Sequence, residues 1–401
     1  MRLAYLVDHW PGLFEAYLLR ELQWMRRRGH WVAVLSLGLG GPHGFRKETQ
    51  DYVDLAEFDL EDIPTLQLGA RNSSDAQVVR ESAKFLRKHE VELIDAHLAR
   101  EPAEVACQLH LQSGIPFAVR MRGGDVHSNP SSRLAEIVHY ASVVCPMSSF
   151  LADVLVGKRL LKKVPLGIPV KACPDKLQVM TGCLPSSYLA ARPAAQSNDV
   201  CVVGAVGRAV PVKRFPDIIH AVAGLAPDFP GLQLKIVGGG VLLPELKELA
   251  AQNGLSGRFE ITGFRKWSEV IQLVRQFHIY VHSGELEGFG MSTVEAGFHG
   301  LPLLLSRTGA HEQCVEPGMN GYLFEPGDIP ALRENLRKLL LAGPEKRERM
   351  GRASIEIVGS QFTEEAVMPK IETAFQRAIR RAHFGTDIFA TSQSVIHRPN
   401  D

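Results

Sequence analysis

Short runs of apolar residues alternate with longer amphipathic stretches along most of the chain. Leu3 to Val7, Trp31 to Leu37, Leu93 to Asp95 and Phe117 to Met121 read as strands, and a helical pattern from Phe14 to Arg28, closed by Gly29, separates the first two. Such alternation is the rhythm of parallel α/β units. It weakens from Lys171 to Asn198, where Pro174, Pro185, Pro193, Ser186, Ser187 and Ser197 punctuate the chain. It resumes with strands at Val200 to Val206, Leu232 to Val237, Phe259 to Thr262, His278 to Val281 and Leu303 to Leu305. The pattern predicts an α/β protein with two doubly wound domains, over residues 1–170 and 200–363, joined by a linker over 171–199. Helical patterns from Glu345 to Ile357 and from Glu364 to Arg381 exceed what the second sheet needs, so a separate final helix is expected over 364–384. Residues 385–401 are polar and aperiodic and read as a disordered tail.

The composition narrows the function without naming it. A chain of 401 residues, 45% apolar, exceeds one typical core, which agrees with two domains. A net charge of +1 without a long basic block gives no reason to expect nucleic acid as a partner, so an acidic ligand must be met by local cations. The six cysteines form no Cys-x-x-Cys pair and no ligand-like spacing with histidine, which argues against both a zinc site and a disulfide framework. The apolar run at Met1 to Val7 is too short for a signal segment and no run of eighteen apolar residues follows; the expectation is a cytoplasmic protein.

The stretch Ser283-Gly-Glu-Leu-Glu287-Gly288-Phe289-Gly290-Met291-Ser292-Thr293-Val-Glu295 carries the most chemistry. An apolar strand enters a glycine loop that opens a helix, and two carboxylates flank the turn. A helix N-terminus favours phosphate, while Glu287 and Glu295 accept hydrogen bonds from hydroxyls; phosphate with polyhydroxyl is the chemistry of a sugar nucleotide. A second reading stands beside it: Ser292-x-x-Glu295 is also a capping box, in which Glu295 only satisfies the cap backbone. Beyond the strand ending at Val206, Arg208 and Lys213 reach the carboxyl end of the sheet, where ligand crevices form, and can supply a fork and a point charge to phosphate. Surface salt bridging is the alternative for that pair. No Asp-x-Asp pair and no Walker loop occurs, so no metal and no cofactor are expected, and the leaving charge falls to Arg208, Lys213 and the helix N-terminus at Met291 to Thr293.

Together with Gly300-Leu-Pro-Leu-Leu-Leu-Ser306-Arg-Thr-Gly309-Ala-His-Glu312 and the segment Pro317 to Asp328, these residues resemble the donor half of glycosyltransferase family 4, of the exopolysaccharide and colanic-acid type, whose Glu-x7-Glu motif matches Glu287 and Glu295. The resemblance implies the GT-B architecture, two Rossmann-like domains facing a cleft, with a last helix returning to the first domain. It implies a retaining, metal-independent transferase that uses a nucleoside-diphosphate sugar by front-face displacement. It also implies that Glu287 and the Phe289 and Gly290 amides touch donor-sugar hydroxyls, that Glu295 holds the ribose, and that the base lies near Gly263, Phe264 and Arg265.

The first domain resembles the family less closely. Trp10-Pro-Gly-Leu-Phe14-Glu15-Ala16-Tyr17 stands where the family has Phe-Pro-x-x-Ser-Glu-Thr-Phe; Glu15 is kept and the hydroxyl pair is lost. Asp95-Ala-His97 resembles the family's His-Ala-His strand end, and Arg122-Gly-Gly-Asp125 resembles its His-Gly-x-Asp with arginine for histidine. The acceptor-side candidates are thus Glu15, His97, Arg122 and Asp125. His97 is either such a residue or a satisfied core histidine, and Arg122 either binds an acceptor anion or pairs with Asp125. Val164 to Pro169 resembles Pro-Asn-Gly-Ile-Asp without its polar residues, Pro169 replacing the aspartate. These departures leave open a degenerate module that binds nucleotide or a partner without turnover, and another GT-B activity such as epimerisation or phosphorolysis. The acceptor hydroxyl's class is unread. On the last helix Lys370, Arg377, Arg380 and Arg381 form a basic strip, either a solvated face or a peripheral contact with the inner face of a membrane.

Overall fold

The computed structural model describes residues 1–10, 16–38, 62–69, 76–127, 130–159, 172–189 and 200–393. Their contacts divide them into two units, the first drawn from 1–180 and from 368 onward, the second from 181–367.

In the first unit six parallel strands lie in the order β3-β2-β1-β4-β5-β6. They are β1 (Arg2–Val7), β2 (Trp31–Ser36), β3 (Thr65–Gln67), β4 (Leu93–His97), β5 (Phe117–Met121) and β6 (Val143–Pro146). The helices α1 (Ala16–Arg27), α2 (Ala76–Lys88), α3 (Glu101–Ser113), α4 (Gly123–His127), α5 (Leu134–Tyr140) and α6 (Ser149–Leu155) complete the alternation. Every residue of β4 and β5 is buried, which is why these strands read as apolar runs rather than alternating ones. One face of the sheet meets Val105, Leu109 and Ile137 in a continuous apolar core.

The second unit repeats the plan with β7 (Cys201–Val206), β8 (Leu232–Val237), β9 (Phe259–Ile261), β10 (Ile279–His282), β11 (Leu303–Ser306) and β12 (Gly321–Phe324), ordered β12-β11-β10-β7-β8-β9 and parallel throughout. Its helices are α7 (Phe215–Ala223), α8 (Leu243–Gln252), α9 (Trp267–Val274), α10 (Met291–Phe298), α11 (His311–Cys314), α12 (Ile329–Leu341) and α13 (Gly343–Phe362). Both sheets therefore have the doubly wound Rossmann order, in which the chain leaves the first strand toward one edge and later starts again on its other side. In the second unit that reversal falls between β7 and β10.

Three strands escape the apolar pattern. β3 is three residues long and half-exposed, β6 is four residues long, and β12 lies inside the glycine- and proline-rich segment from Pro317 to Asp328. The last helix, α14 (Glu364–Gln393), groups its residues from Met368 on with the first unit. There Ile371, Phe375 and Ala378 are buried, and Glu372 accepts from His30 Nε2 at 2.8 Å and lies 3.4 Å from Arg28 Nε. The helix continues past Gly385, where the sequence suggested a tail; no proline interrupts residues 370–393.

Candidate active site

The loops that follow β7 and β10 leave the sheet side by side at its reversal point, where an open α/β sheet leaves a crevice. Several backbone and side-chain bonds tie these loops together. Glu285 N–H donates to Val212 O at 3.0 Å, and Ser283 Oγ lies 2.9 Å from the carbonyl oxygens of both Lys213 and Arg214. The result places Lys213 Nζ against Glu287 Oε2, two of the residues singled out by the sequence.

Sequence reading missed the third member of this cluster. His282, the last residue of β10, is 2% exposed and lies with Nε2 3.3 Å from Glu287 Oε2. Gly284 N–H donates to its Nδ1 at 3.2 Å, so the ring proton sits on Nε2 and is directed at the carboxylate. His311 backs the cluster, its ring edge-on to His282 at 4.5 Å between centroids. It donates from Nδ1 to Ser306 O at 2.8 Å and accepts from Thr293 Oγ1 at Nε2, at 3.1 Å, which fixes it as a neutral imidazole. The only sequence signal for these rings was their position, one at a strand end and one opening α11.

The charges follow from these contacts. Burial pushes the Glu287 carboxyl up, but the Lys213 ammonium and His282 outweigh it and hold the group well below the usual carboxylate range. Burial and the Lys213 charge lower His282 despite the opposing pull of Glu287. Burial takes His311 down to about 3, and burial with the nearby Arg275 takes His299 down to about 4.

An unfolded histidine takes a proton near pH 6.5 whereas these folded ones do not, so the stability they confer is complete above that pH and drains away as pH falls toward their folded values. At pH 5 each of His299 and His311 should cost about 2 kcal/mol relative to pH 7. Calorimetric unfolding at the two pH values should show the loss, and His311→Gln should reduce the difference by about one such increment. An unchanged difference in that variant would contradict the neutral assignment.

α10 completes the site. Its cap is Gly290, at φ 101°, where a Cβ would lie 2.9 Å from His311 Nε2. Ser292 is consequently the second helical residue and cannot cap; its Oγ instead accepts from Tyr280 Oη at 2.9 Å. The capping-box reading is thus overturned, and Glu295 Oε1 accepts from the Trp267 indole N–H at 3.2 Å. Met291 and Ser292 occupy the first turn, where backbone N–H groups lack intrahelical acceptors. Thr293 is buried and committed to His311. Phe289 is also buried, its ring edge-on to Phe362, so only its backbone can serve a ligand. Gly288 is half-buried in the loop, Gly263 follows β9, and the Phe264 ring beside it is 41% exposed. Arg208 is exposed, with no ion pair among the described residues.

The first unit treats its candidates differently. Glu15, with Phe14 and Pro169, lies outside the described residues. His97 is 1% exposed; its Nε2 meets Asp95 Oδ2 at 3.0 Å, while Nδ1 has no partner among the described residues. Its ring is thus bonded on one side only among the described residues. Asp95 also receives Arg120, through Nε at 3.1 Å and Nη2 at 2.9 Å, and Arg120 Nη2 donates to Glu21 at 2.6 Å. Glu21, Asp95 and His97 lie close enough together to hold a cation, but the guanidinium already fills that role. The carboxylate of Asp125 takes the Arg122 backbone N–H at 2.9 Å, and the charges of both Arg122 and Arg100 act on it, Arg100 with its Nε 3.2 Å from Oδ1. The Arg122 guanidinium lies over the Tyr17 ring at 5.1 Å. Burial raises the Asp125 carboxyl against these donors and charges.

Residues 191–357 match the family Glycosyl transferases group 1. The match takes in the whole β7–β12 sheet and both loops of the cluster. The lipopolysaccharide core biosynthesis glycosyltransferase LpsE of Rhizobium meliloti is 28% identical over 169 residues, 42% of this chain and 48% of that protein, so the chain spans about half the length of this relative. Among solved structures, a glycosyltransferase from Rickettsia africae superposes with a TM-score of 0.75 at 16% identity over 94% of this chain and 98% of its own. Anabaena HepE in complex with UDP gives 0.71 at 19% identity, over 94% and 100%. These likenesses establish the fold, two Rossmann-like parallel-sheet domains of the GT-B class.

Proposed function

We propose that the protein transfers a glycosyl group from a nucleoside-diphosphate sugar to a hydroxyl acceptor, with retention of configuration and without a metal ion. The observation that carries this reading is the contact of Lys213, Glu287 and His282 beside the first turn of α10, inside the segment that matches the group 1 family. The UDP bound to the structurally similar HepE agrees with a nucleotide donor.

When the bond from the anomeric carbon to the diphosphate oxygen breaks, negative charge develops on that oxygen. Arg208, the N–H groups that Lys213 does not spend on Glu287, and the first-turn N–H groups of α10 would stabilise it. Glu287, kept ionised by Lys213 and His282, would accept from donor-sugar hydroxyls. Both contacts fall on Glu287 Oε2, and metal independence is supported by the lack of an Asp-x-Asp pair in the sequence. In front-face displacement the departing phosphate oxygen takes the acceptor proton, so no separate base is required. On the acceptor side His97, Arg122 and Asp125 remain the candidates. Among the described residues no helix is long and apolar enough to cross a membrane, and any membrane contact would be peripheral, through the exposed Lys370, Arg377, Arg380 and Arg381.

Glu295 supplies the test. If it holds the ribose, Glu295→Gln should weaken nucleotide binding about tenfold, the equivalent of about 1.4 kcal/mol, with little change in melting temperature. Calorimetric titration with UDP, GDP and ADP would show it. An unchanged Kd would mean that Glu295 serves only to hold Trp267. The same preparations, assayed for transfer in chelator, should lose no activity; a strict Mg²⁺ or Mn²⁺ requirement would defeat the metal-free mechanism.

A further inference from the structure

Arg214 follows Lys213 immediately and adopts a left-handed backbone, φ 50° and ψ 37°, a conformation that side-chain-bearing residues rarely take. It caps α7 without a side-chain cap bond, so the cap does not account for it. Its guanidinium instead bonds α7 and the loop after β10, and packs beside the loop after β12. Nε lies 2.7 Å and Nη2 3.2 Å from the two oxygens of Asp217, a bidentate fork in the first turn of α7. Nη1 lies 3.5 Å from Glu285 Oε2 in the loop after β10. The loop after β12 contributes Gly327, at φ 88°, where a Cβ would be only 3.1 Å from Nη2; a larger residue there would crowd the fork.

We propose that Arg214 is a positioning residue for the donor site. It clips the turn bearing Lys213 to the loop bearing Glu287, so that ammonium and carboxylate stand in register before any ligand arrives. Three interactions point the same way: Ser283 Oγ beside the Lys213 and Arg214 carbonyls, Glu285 N–H on Val212 O, and the Arg214–Glu285 pair. Together they make the two loops one rigid piece. This inference rests on the donor-site reading above and extends it.

Arg214→Gly is the informative variant, because glycine accepts the left-handed backbone while the guanidinium is removed. Hydrogen exchange followed by mass spectrometry should show amides of both 210–214 and 283–290 exchanging at least tenfold faster. Any nucleotide that binds the wild type should bind this variant at least tenfold more weakly. Glu285→Gln should reproduce part of both effects, Asp217→Asn should leave the 283–290 exchange unchanged, and the Arg214→Gly/Glu285→Gln double variant should add nothing to Arg214→Gly. Faster exchange confined to 214–223, with nucleotide affinity unchanged, would make Arg214 a stabiliser of α7 alone and overturn the proposal. If exchange rises in both loops while no nucleotide binds even the wild type, the clip stands and the donor reading fails.

Discussion

Lys213→Ala should lower turnover about 10²-fold or more, a loss of about 2.7 kcal/mol in transition-state stabilisation. The substitution acts twice. It removes a cation proposed to meet the departing diphosphate, and it removes the main partner of a largely buried carboxylate. Without the ammonium, burial raises the Glu287 carboxyl and only His282 opposes the rise. A group whose folded pKa is depressed stays ionised down to low pH; once the depression is lifted, ionisation is lost at higher pH. Lys213→Ala should therefore show a deficit that deepens as pH falls, beyond any acid-side decline of the wild type. Measuring kcat against pH in both proteins checks the claim. A parallel profile would mean that Lys213 does not govern Glu287, and equal turnover would remove it from the mechanism.

The largest stability effect should come from the first unit. Among the described residues Arg120 is the one cation bonded to both Glu21 and Asp95, all three nearly inaccessible to solvent. Burial pushes the Asp95 carboxyl up, but Arg120 and His97 hold it at about 2, whereas Glu21, with a single contact to the guanidinium, is raised by burial. Arg120→Met should cost about 3–5 kcal/mol because it strands two carboxyls in a dry core. Denaturant unfolding at pH 7 measures the cost. Adding Glu21→Gln and Asp95→Asn to Arg120→Met should recover part of it. If the triple variant is no more stable than Arg120→Met, the loss reflects packing against Phe375, whose ring lies 5.4 Å from the guanidinium, and not stranded charge.

Much of this architecture was legible in the chain because parallel strands buried on both faces are apolar throughout. β1, β4, β5, β7 and β10 announce themselves as runs such as Leu3 to Val7 and Ile279 to Val281. Glu287 and Lys213 were legible from loop chemistry at strand ends. Residues whose role depends on contacts distant in sequence were not legible. His282 and His311 are 29 positions apart and meet only because β10 and β11 are neighbours. Trp267 reaches Glu295 across 28 positions, which no local pattern records. The alternative reading of Ser292 fell for a related reason: a capping box and the second residue of a helix share one spelling, and only the left-handed Gly290 tells them apart. At Asp125 the sequence offered Arg122, whose charge does act on the carboxylate, but not Arg100, presented just before α3 and 25 positions away.

The Lys213–Glu287–His282 cluster and α10 are proposed to form a donor site for a nucleoside-diphosphate sugar. Calorimetric titration of the wild type, Lys213→Ala and Glu295→Gln with UDP-, GDP- and ADP-sugars, without added metal, tests it most directly. Saturable binding of at least one donor to the wild type, and at least tenfold weaker binding of that donor to each variant, are expected. Binding of equal strength in all three proteins, or no donor bound by the wild type, would contradict it.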